Sequence, residues 1–264
     1  YNKTDKLKAP LVLLNSDVLY SINGTLSNSK LISLAFRLGK KVVMHWVGTD
    51  VPNSLKLFNK GIYNKKYLTA KHLTVAPWLK EELKQMGIGA TIQQISTYPK
   101  VPQLIPLPGE FKVLSYLPKS RADYYGRDAI FHLAKQFPNI KFYIVGSAKD
   151  DYLSPPSNIE FLGWIENMNN LINEATVCIR FMEHDGLSQF VLESLSKGRH
   201  VLYNYNLEGV NFVKTVISLE NELKTLINKS KQEKLDLNHD GVNMIKRDFN
   251  PEKVLTDLKN HLLE

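Results

Sequence analysis

The segment EHDGLSQFVLESLSKG, residues 183–198, places one carboxylate before a predicted helix and a second carboxylate inside it. Asp185 precedes the apolar run, and Glu193 lies within it, eight positions later. Carboxylates accept hydrogen bonds from hydroxyl groups, so two of them beside an anion site suit a ligand with hydroxyls on both sides of a diphosphate. A nucleotide sugar is such a ligand. The structural alternatives are an exposed helix glutamate for Glu193 and a second helix cap for Asp185.

The anion site itself is predicted at the start of that helix. Ser188 is a favourable N-cap, and residues 189–196 are predicted to be helical, with Gly198 closing the helix. The free backbone N–H groups and partial positive charge of a helix N-terminus bind phosphate groups. In the preceding loop, which ends at Leu187, Gly186 allows the backbone to approach a ligand closely.

Short apolar strands alternate with helical segments on both sides of a proline-rich stretch. Strands are predicted at 17–22, 41–46, 72–76, 112–117, 141–146, 159–163, 176–181 and 200–205. Such alternation predicts parallel sheets covered on both faces, with the ligand at the carboxyl ends of the strands. We therefore predict an α/β protein with two Rossmann-like domains whose sheets face each other across a cleft.

The proline-rich stretch 96–111 marks the predicted domain boundary. Proline removes backbone donors and fixes φ, so the four prolines between 99 and 108 predict a stiff linker. We predict a first domain over 1–105, short by one or two strand–helix units, and a second over 106–249. Residues 250–264 are predicted to form a helix that packs back toward the first domain.

Charge is divided unevenly between the two halves of the chain. Residues 1–104 hold 15 Lys and Arg against 5 Asp and Glu, a net of +10, whereas the remainder holds 19 against 21, a net of −2. Candidate partners for the basic half are an anionic membrane surface, an acidic acceptor or nucleic acid. Nucleic acid is disfavoured because no aromatic residues interleave the lysines. The alternative is a solvated lysine-rich surface.

The cellular compartment is predicted from features that the sequence lacks. One cysteine, Cys178, in an apolar run predicts a reducing compartment and a buried thiol. No run of 18 apolar residues and no signal peptide are found, so we expect a cytoplasmic protein, peripheral at the membrane if the basic half binds lipid.

The stretch Asp185–Glu193 resembles the E-x7-E element of retaining GT-B glycosyltransferases of the family 4 (group 1) type, and SLSKGRHVLYN after it resembles that element's continuation. The resemblance implies that Glu193 holds the ribose hydroxyls and that Asp185 contacts the donor sugar. Aspartate stands here in place of the family's usual glutamate and has a shorter reach. The resemblance also implies that backbone near Gly163 meets the base.

The basic loop 116–130 resembles the region in which that family binds the diphosphate with arginine and lysine. Here Tyr125 stands where the family has lysine. The predicted diphosphate-binding cations are Arg121 and then Lys119, while Arg127 is assigned to the surface. A solvated basic loop is the alternative.

In the first half, VVMHWVGTDVP at 42–52 resembles the family's strand that ends in a histidine near the reacting sugar. The resemblance implies that His45 and Asp50 face the cleft and orient hydroxyls of donor or acceptor. The alternatives are a histidine satisfied by backbone groups and an aspartate that caps the next helix. Asn23 and Gly24 follow another strand and either line the cleft or form a plain turn.

Together, the resemblance implies a glycosyltransferase of the hexosyltransferase type, with a nucleoside-diphosphate sugar as donor and a glycan or lipid-linked hydroxyl as acceptor. It implies retention of configuration. We expect no cofactor and no metal, since the sequence has no D-x-D element and no His/Cys cluster with ligand spacing. The alternatives are a non-catalytic nucleotide-sugar-binding subunit and a GT-B-fold epimerase.

Overall fold

The structure is a computed structural model that describes residues 3–98 and 104–264. It divides into two compact units. The first comprises the chain up to Thr97 together with Asp185–Leu187 and Pro251–Glu264, and the second comprises Tyr98–His184 and Ser188–Asn250. Residues 99–103 of the predicted linker lie outside the described residues.

Ten strands and ten α-helices are formed by the described residues. The strands are β1 (Val18–Ile22), β2 (Lys41–Trp46), β3 (Lys71–Thr74), β4 (Ala90–Ile92), β5 (Lys112–Tyr116), β6 (Lys141–Val145), β7 (Ile159–Gly163), β8 (Val177–Arg180), β9 (His200–Tyr203) and β10 (Asn211–Phe212). The helices are α1 (Lys3–Leu14), α2 (Lys30–Arg37), α3 (Asp50–Asn59), α4 (Pro77–Lys84), α5 (Arg127–Gln136), α6 (Asn169–Glu174), α7 (Gln189–Ser196), α8 (Val216–Lys231), α9 (His239–Asp248) and α10 (Pro251–Leu263). Short 3-10 turns cover Lys65–Thr69 and Lys149–Asp151.

The first unit is built on a four-stranded parallel sheet in the order β1-β2-β3-β4. Strand β2 is buried along nearly its whole length, as expected of a parallel strand covered on both faces. Local signals define the helices: Ser29 caps α2 by accepting the Ile32 N–H, and Pro77 opens α4 in its first turn. Helix α10 belongs to this unit, where the Lys41 ammonium donates to the carbonyl oxygens of His261 and Leu262.

The second unit contains a six-stranded parallel sheet in the order β10-β9-β8-β5-β6-β7. The chain begins in the middle with β5, adds β6 and β7 on one side, and then crosses over to add β8, β9 and β10 on the other. The strand order therefore reverses between β5 and β8, and such a switch point is where open α/β sheets bind ligands. Cys178 is fully buried on β8, in register with Leu114 of β5.

The predicted α/β class with two parallel Rossmann-like sheets is confirmed. Strands β2 and β7 have the predicted limits, and most other predicted strands end within one or two residues of those observed. Strands β4 and β10 and helices α1, α8 and α9 were not predicted. Within residues 3–98 and 104–264, no helix is both long enough and apolar enough to span a bilayer.

Candidate functional site

A cavity of about 350 Å³ opens at the switch point of the second unit. Tyr116 and Arg180, the last residues of β5 and β8, form part of its wall, which places the cavity at the carboxyl ends of these neighbouring strands. The remaining wall residues come from the segments just before α5 and α6 and from the first turns of α7: Tyr125, Met168, Ser188, Gln189, Phe190 and Glu193. The cavity therefore joins a cation, a carboxylate and several aromatic rings.

Glu193 is the carboxylate of this cavity. It lies in the second turn of α7 and is half-buried. Burial raises the pKa of Glu193, and the nearby Lys197 acts in the opposite direction. A partly desolvated carboxylate that faces a cavity suits hydrogen bonding to ligand hydroxyls.

The start of α7 forms a second part of the cavity wall. Ser188 occupies the N-cap with extended backbone, but its hydroxyl makes no capping hydrogen bond, so the side chain does not satisfy the first-turn N–H groups. The Tyr98 hydroxyl donates to Gln189 Oε1 at 2.9 Å. Burial and then the charge of Glu193 raise the pKa of Tyr98, so this tyrosine stays neutral beside the helix start.

Arg180 is the cation of the cavity. Its guanidinium carbon lies 4.8 Å from the centre of the Tyr125 ring, a cation–π contact. The Tyr125 ring meets the Tyr116 ring edge-on at 5.7 Å. Residues of β5, β8 and the loop before α5 thus converge on one side of the cavity.

The two cations predicted to bind the diphosphate lie on the loop after β5. Lys119 forms an ion pair with Asp151 at 2.8 Å, and its side chain is 77% exposed. The Arg121 guanidinium lies over the Tyr124 ring at 4.1 Å. Neither residue belongs to the described wall of the cavity. Arg127, assigned to the surface from the sequence, forms ion pairs with Asp123 and Asp128.

Gly163, the residue predicted to meet the base, ends β7 with a positive φ of 67°. Its N–H donates to the Ser147 carbonyl oxygen, and its own carbonyl oxygen accepts from the Gly146 N–H at 2.7 Å. The backbone groups of Gly163 are therefore engaged with the loop after β6.

The loop after β8 is held by hydrogen bonds to Asn204 and to Tyr124. The Asn204 side chain accepts the Met182 N–H at 3.1 Å and donates to the Met182 carbonyl oxygen at 2.7 Å. The Tyr124 hydroxyl donates to the His184 carbonyl oxygen at 2.9 Å. These contacts fix the segment of the second unit that leads into Asp185.

Residues Asp185–Leu187 group with the first unit. There the Trp78 indole donates to the Asp185 carbonyl oxygen at 2.8 Å, and Leu187 packs against the apolar core. A Cβ atom at Gly186 would overlap the Val47 carbonyl oxygen. Glycine is therefore required at 186 by a close approach of backbone to backbone.

His45 is fully buried near the end of β2. Its Nε2 atom lies 2.9 Å from the Gln93 carbonyl oxygen, and its Nδ1 atom lies 2.7 Å from the Tyr20 hydroxyl. Because a carbonyl can only accept, Nε2 carries the proton and Nδ1 accepts from Tyr20. Burial lowers the pKa of His45 to about 4, so the imidazole is neutral near pH 7.

Asp50 organises the turn after β2. Its carboxylate accepts the N–H groups of Val47, Gly48 and Val51 and, at 2.7 Å, that of Gly24. Burial nevertheless raises the pKa of Asp50, although the N–H groups of Gly48, Val47 and Gly24 act in the opposite direction.

Asn23 and Gly24 form the turn after β1. Asn23 is exposed and adopts a positive φ of 70°, a conformation that asparagine tolerates better than most residues. Gly24 is buried, and a Cβ atom there would overlap the Trp46 indole.

The sequence analysis missed Arg180 and the aromatic wall of the cavity. Their only sequence signal is that a charged residue closes the buried run TVCIR, at the carboxyl end of a predicted strand. Across the described residues, no group of three or more His, Cys, Asp or Glu side chains is arranged to hold a metal ion.

Comparison with known proteins gives structural but not sequence matches. No family model matches the chain, and no curated protein sequence matches it. Alr3699/HepE from Anabaena, solved in complex with UDP and glucose, is similar over 100% of this chain and 83% of its own, with a TM-score of 0.70 and 13% identity. A glycosyltransferase from Rickettsia africae ESF-5 is similar over 98% of this chain and 81% of its own, with a TM-score of 0.70 and 14% identity.

A third similar structure is a mutant of S. aureus TarM in complex with Fondaparinux, alpha-GlcNAc-glycerol and UDP. It matches 87% of this chain with a TM-score of 0.62 and 12% identity, and the match spans 54% of the TarM chain, about half its length. At these identities the likeness concerns the fold alone. The chain therefore has the GT-B type of fold, with two α/β units that are each built on a parallel sheet.

Proposed function

We propose that this protein is a glycosyltransferase that moves a sugar from a nucleoside-diphosphate sugar to a hydroxyl group of a glycan or lipid-linked acceptor. The observation that carries the proposal is the cavity at the β5–β8 switch point, in which Glu193 and the first turn of α7 lie together. Its volume of about 350 Å³ falls in the range of small-molecule sites. The GT-B fold, found in structures solved with UDP, UDP-glucose or GlcNAc, supports it.

The donor is proposed to lie along the carboxyl edge of the second sheet. Glu193 would accept hydrogen bonds from the ribose hydroxyls, and the backbone at Gly163 would meet the base. The first-turn N–H groups of α7, beginning after Ser188, would bind the diphosphate together with Arg121 and Lys119. The contacts to the transferred sugar and to the acceptor are proposed for Asp185, Gly186, Leu187, His45, Asp50, Asn23 and Gly24.

In the proposed reaction the bond between the sugar C1 atom and the diphosphate oxygen breaks, and its electron pair leaves with the nucleoside diphosphate. A new bond forms between C1 and the acceptor oxygen, whose proton leaves with the diphosphate. Positive groups at the diphosphate stabilise the charge that develops there. We propose that configuration at C1 is retained and that no metal is needed, as in the family that the sequence resembles.

One observation favours the alternative of a nucleotide-sugar-binding subunit without transfer activity. Both ring nitrogens of His45 are hydrogen-bonded inside the first unit, so this imidazole has no nitrogen left for a substrate in the described arrangement. Donor binding without turnover would support that alternative. Interconversion of the donor's sugar without an acceptor would support the GT-B-fold epimerase.

The acceptor is proposed to reach the basic first unit at an anionic membrane surface. Lys56, Lys60 and Lys65 are exposed on α3 and the turn that follows it. Ile62, 67% exposed, lies between Lys60 and Lys65 in the sequence. Lysines around an exposed apolar side chain suit the interface of an anionic bilayer, which supports a peripheral, cytoplasmic-face location.

The proposal is tested by thermal denaturation with UDP-, GDP- and ADP-sugars, followed by assays of donor hydrolysis. A ligand that binds the folded state alone at a hundred times its dissociation constant stabilises it by about 2.7 kcal/mol. We expect one nucleotide class to raise the melting temperature, with or without EDTA. No shift and no hydrolysis with any of these donors would reject the proposed donor site.

A further inference from the structure

Arg180 has a position that the sequence analysis did not assign. It closes β8 at the switch point, and it is the basic residue among the described residues that form the wall of the 350 Å³ cavity. Glu193 and Ser188 belong to the same wall. A guanidinium here would face any anionic part of a ligand that also contacts α7.

The Arg180 side chain is held by aromatic stacking. Its guanidinium carbon lies 4.8 Å from the centre of the Tyr125 ring, and Tyr125 in turn packs against the apolar core of the second unit. Tyr116 contacts Tyr125 edge-on at 5.7 Å, and the charge of Arg180 lowers the pKa of Tyr116 against the larger effect of burial. Contact with the ring restricts the guanidinium, so less freedom is lost when its N–H groups bind two ligand oxygens.

The loop cations differ from Arg180 in their surroundings. Lys119 is largely exposed and forms an ion pair with Asp151. Arg121 stacks on Tyr124 and is exposed. Neither belongs to the described cavity wall, whereas Arg180 does.

We infer that Arg180, stacked on Tyr125, binds the diphosphate of the donor and stabilises it as the leaving group. This inference rests on the proposed function. When the bond from C1 to the diphosphate oxygen breaks, the electron pair adds one negative charge to the nucleoside diphosphate. A planar guanidinium can donate two parallel hydrogen bonds to its oxygens, while the acceptor hydroxyl supplies the new oxygen at C1.

The test compares nucleoside diphosphates with their nucleosides. The wild type is titrated with UDP, GDP and ADP, and then with the nucleoside of the tightest binder. Arg180→Gln should weaken binding of the diphosphate about tenfold to a hundredfold, because a charged hydrogen-bonding group is lost, and should leave nucleoside binding unchanged. Arg180→Lys should lose less, because the charge remains. Tyr125→Leu should weaken binding of the diphosphate a fewfold, because the aromatic contact with Arg180 is lost. Tyr125→Phe keeps the ring and should bind the diphosphate as the wild type does.

Arg247→Gln is the matched control, because Arg247 is an exposed arginine of the same unit that pairs with Glu208 and Asp248. It should bind the diphosphate as the wild type does. The inference is overturned if Arg180→Gln and Arg180→Lys bind the diphosphate within twofold of the wild type. It is also overturned if Arg180→Gln lowers the affinity for the nucleoside and for the diphosphate by the same factor, which would mean that the residue only shapes the cavity. If the wild type binds none of the three diphosphates, the proposed function itself fails, a result distinct from the other two.

Discussion

The Tyr20 hydroxyl lies 2.7 Å from Nδ1 of His45 and closes a buried chain of hydrogen bonds that continues from Nε2 to the Gln93 carbonyl oxygen. A neutral imidazole fits this chain of hydrogen bonds, because Nδ1 then accepts from the Tyr20 hydroxyl while Nε2 donates to the Gln93 carbonyl oxygen. The same conclusion follows from burial, which lowers the pKa of His45 from 6.5 to about 4.

His45 should therefore make the first unit sensitive to acid. The unfolded chain binds this proton near pH 6.5, whereas the folded chain binds it only near pH 4, so the free energy of unfolding falls as pH falls between these values. The loss reaches about 3 kcal/mol when complete, at about 1.4 kcal/mol per pH unit.

Urea unfolding of the wild type and His45→Gln from pH 7 to pH 4 measures this loss of stability. The wild type should lose more stability than the variant, and the exposed His239→Gln should follow the wild type. Parallel curves for wild type and His45→Gln would contradict the assignment.

We expect the Asp50 carboxylate to contribute mainly to the stability of the folded protein. Three backbone N–H groups, from Gly24, Val47 and Gly48, lose their acceptor in Asp50→Ala, whereas the Val51 N–H also donates to the Gly48 carbonyl oxygen. Because buried donors without a partner cost about 1–3 kcal/mol each, we expect a loss of at least about 3 kcal/mol, measured by urea unfolding. Asp50→Asn keeps one oxygen and should lose less. A variant Asp50→Ala that unfolds like the wild type but transfers no sugar would instead favour a direct contact with substrate.

The start and end of α7 could be predicted from sequence because its signals are local. Ser188 and Gly198 flank the apolar run, and the observed helix, Gln189–Ser196, has the predicted limits. Gly198 has a positive φ of 69°, as a glycine after a helix often does. Strand β2 was predicted for the same reason: the largely apolar run VVMHW indicates a strand buried on both faces.

The cavity could not be predicted in this way, because its wall depends on strand order. Tyr116 and Arg180 are more than sixty positions apart, and they meet because β8 pairs with β5 rather than with β7. The resemblance directed attention to the loop after β5, where Tyr125 replaces the family's lysine. In the structure, the Tyr125 ring contacts the guanidinium of Arg180, which lies at the end of β8. Helix α1 was missed because Pro10 lies inside it, which argues against a helix on local grounds.

Glu193→Gln should separate ligand binding from stability. Burial raises the pKa of Glu193, so ionised Glu193 carries a desolvation cost in the folded protein that glutamine lacks, while Lys197 offsets part of it. We therefore expect the melting temperature to stay the same or rise. Affinity for the donor should fall about tenfold to a hundredfold, because hydrogen bonds from ribose to a carboxylate are worth about 1.5–3 kcal/mol.

Isothermal titration with the donor and a melting curve without it measure the two effects of Glu193→Gln independently. Glu160→Gln, at an exposed position of β7 in the same unit, is the control and should change neither quantity. A variant that binds donor normally but melts lower would make Glu193 a structural residue and leave the cavity without its proposed ribose contact.

The basic first unit should bind anionic vesicles in a salt-dependent manner. Lys56, Lys60 and Lys65 are exposed, and Ile62, between Lys60 and Lys65 in the sequence, is 67% exposed. Each lysine near an anionic surface contributes about 1 kcal/mol, and the attraction decays within a Debye length of about 10 Å at 0.1 M salt. Replacing all three lysines by glutamate should lower vesicle affinity by about a hundredfold or more, measured by sedimentation with phosphatidylserine-containing vesicles at low salt.

The second unit offers a charge-matched control for this experiment. Lys224, Lys229 and Lys231 are exposed on α8, and replacing them by glutamate changes the net charge by the same amount. If docking depends on the surface around Ile62, this control should sediment nearly as the wild type does, because its altered charges lie on another element. If both triple variants lose binding equally, the effect is one of net charge, +8 in the wild type, and Lys56, Lys60 and Lys65 have no special role. Equal recovery of the wild type with neutral and anionic vesicles would remove the membrane from the proposal and favour an acceptor that diffuses freely.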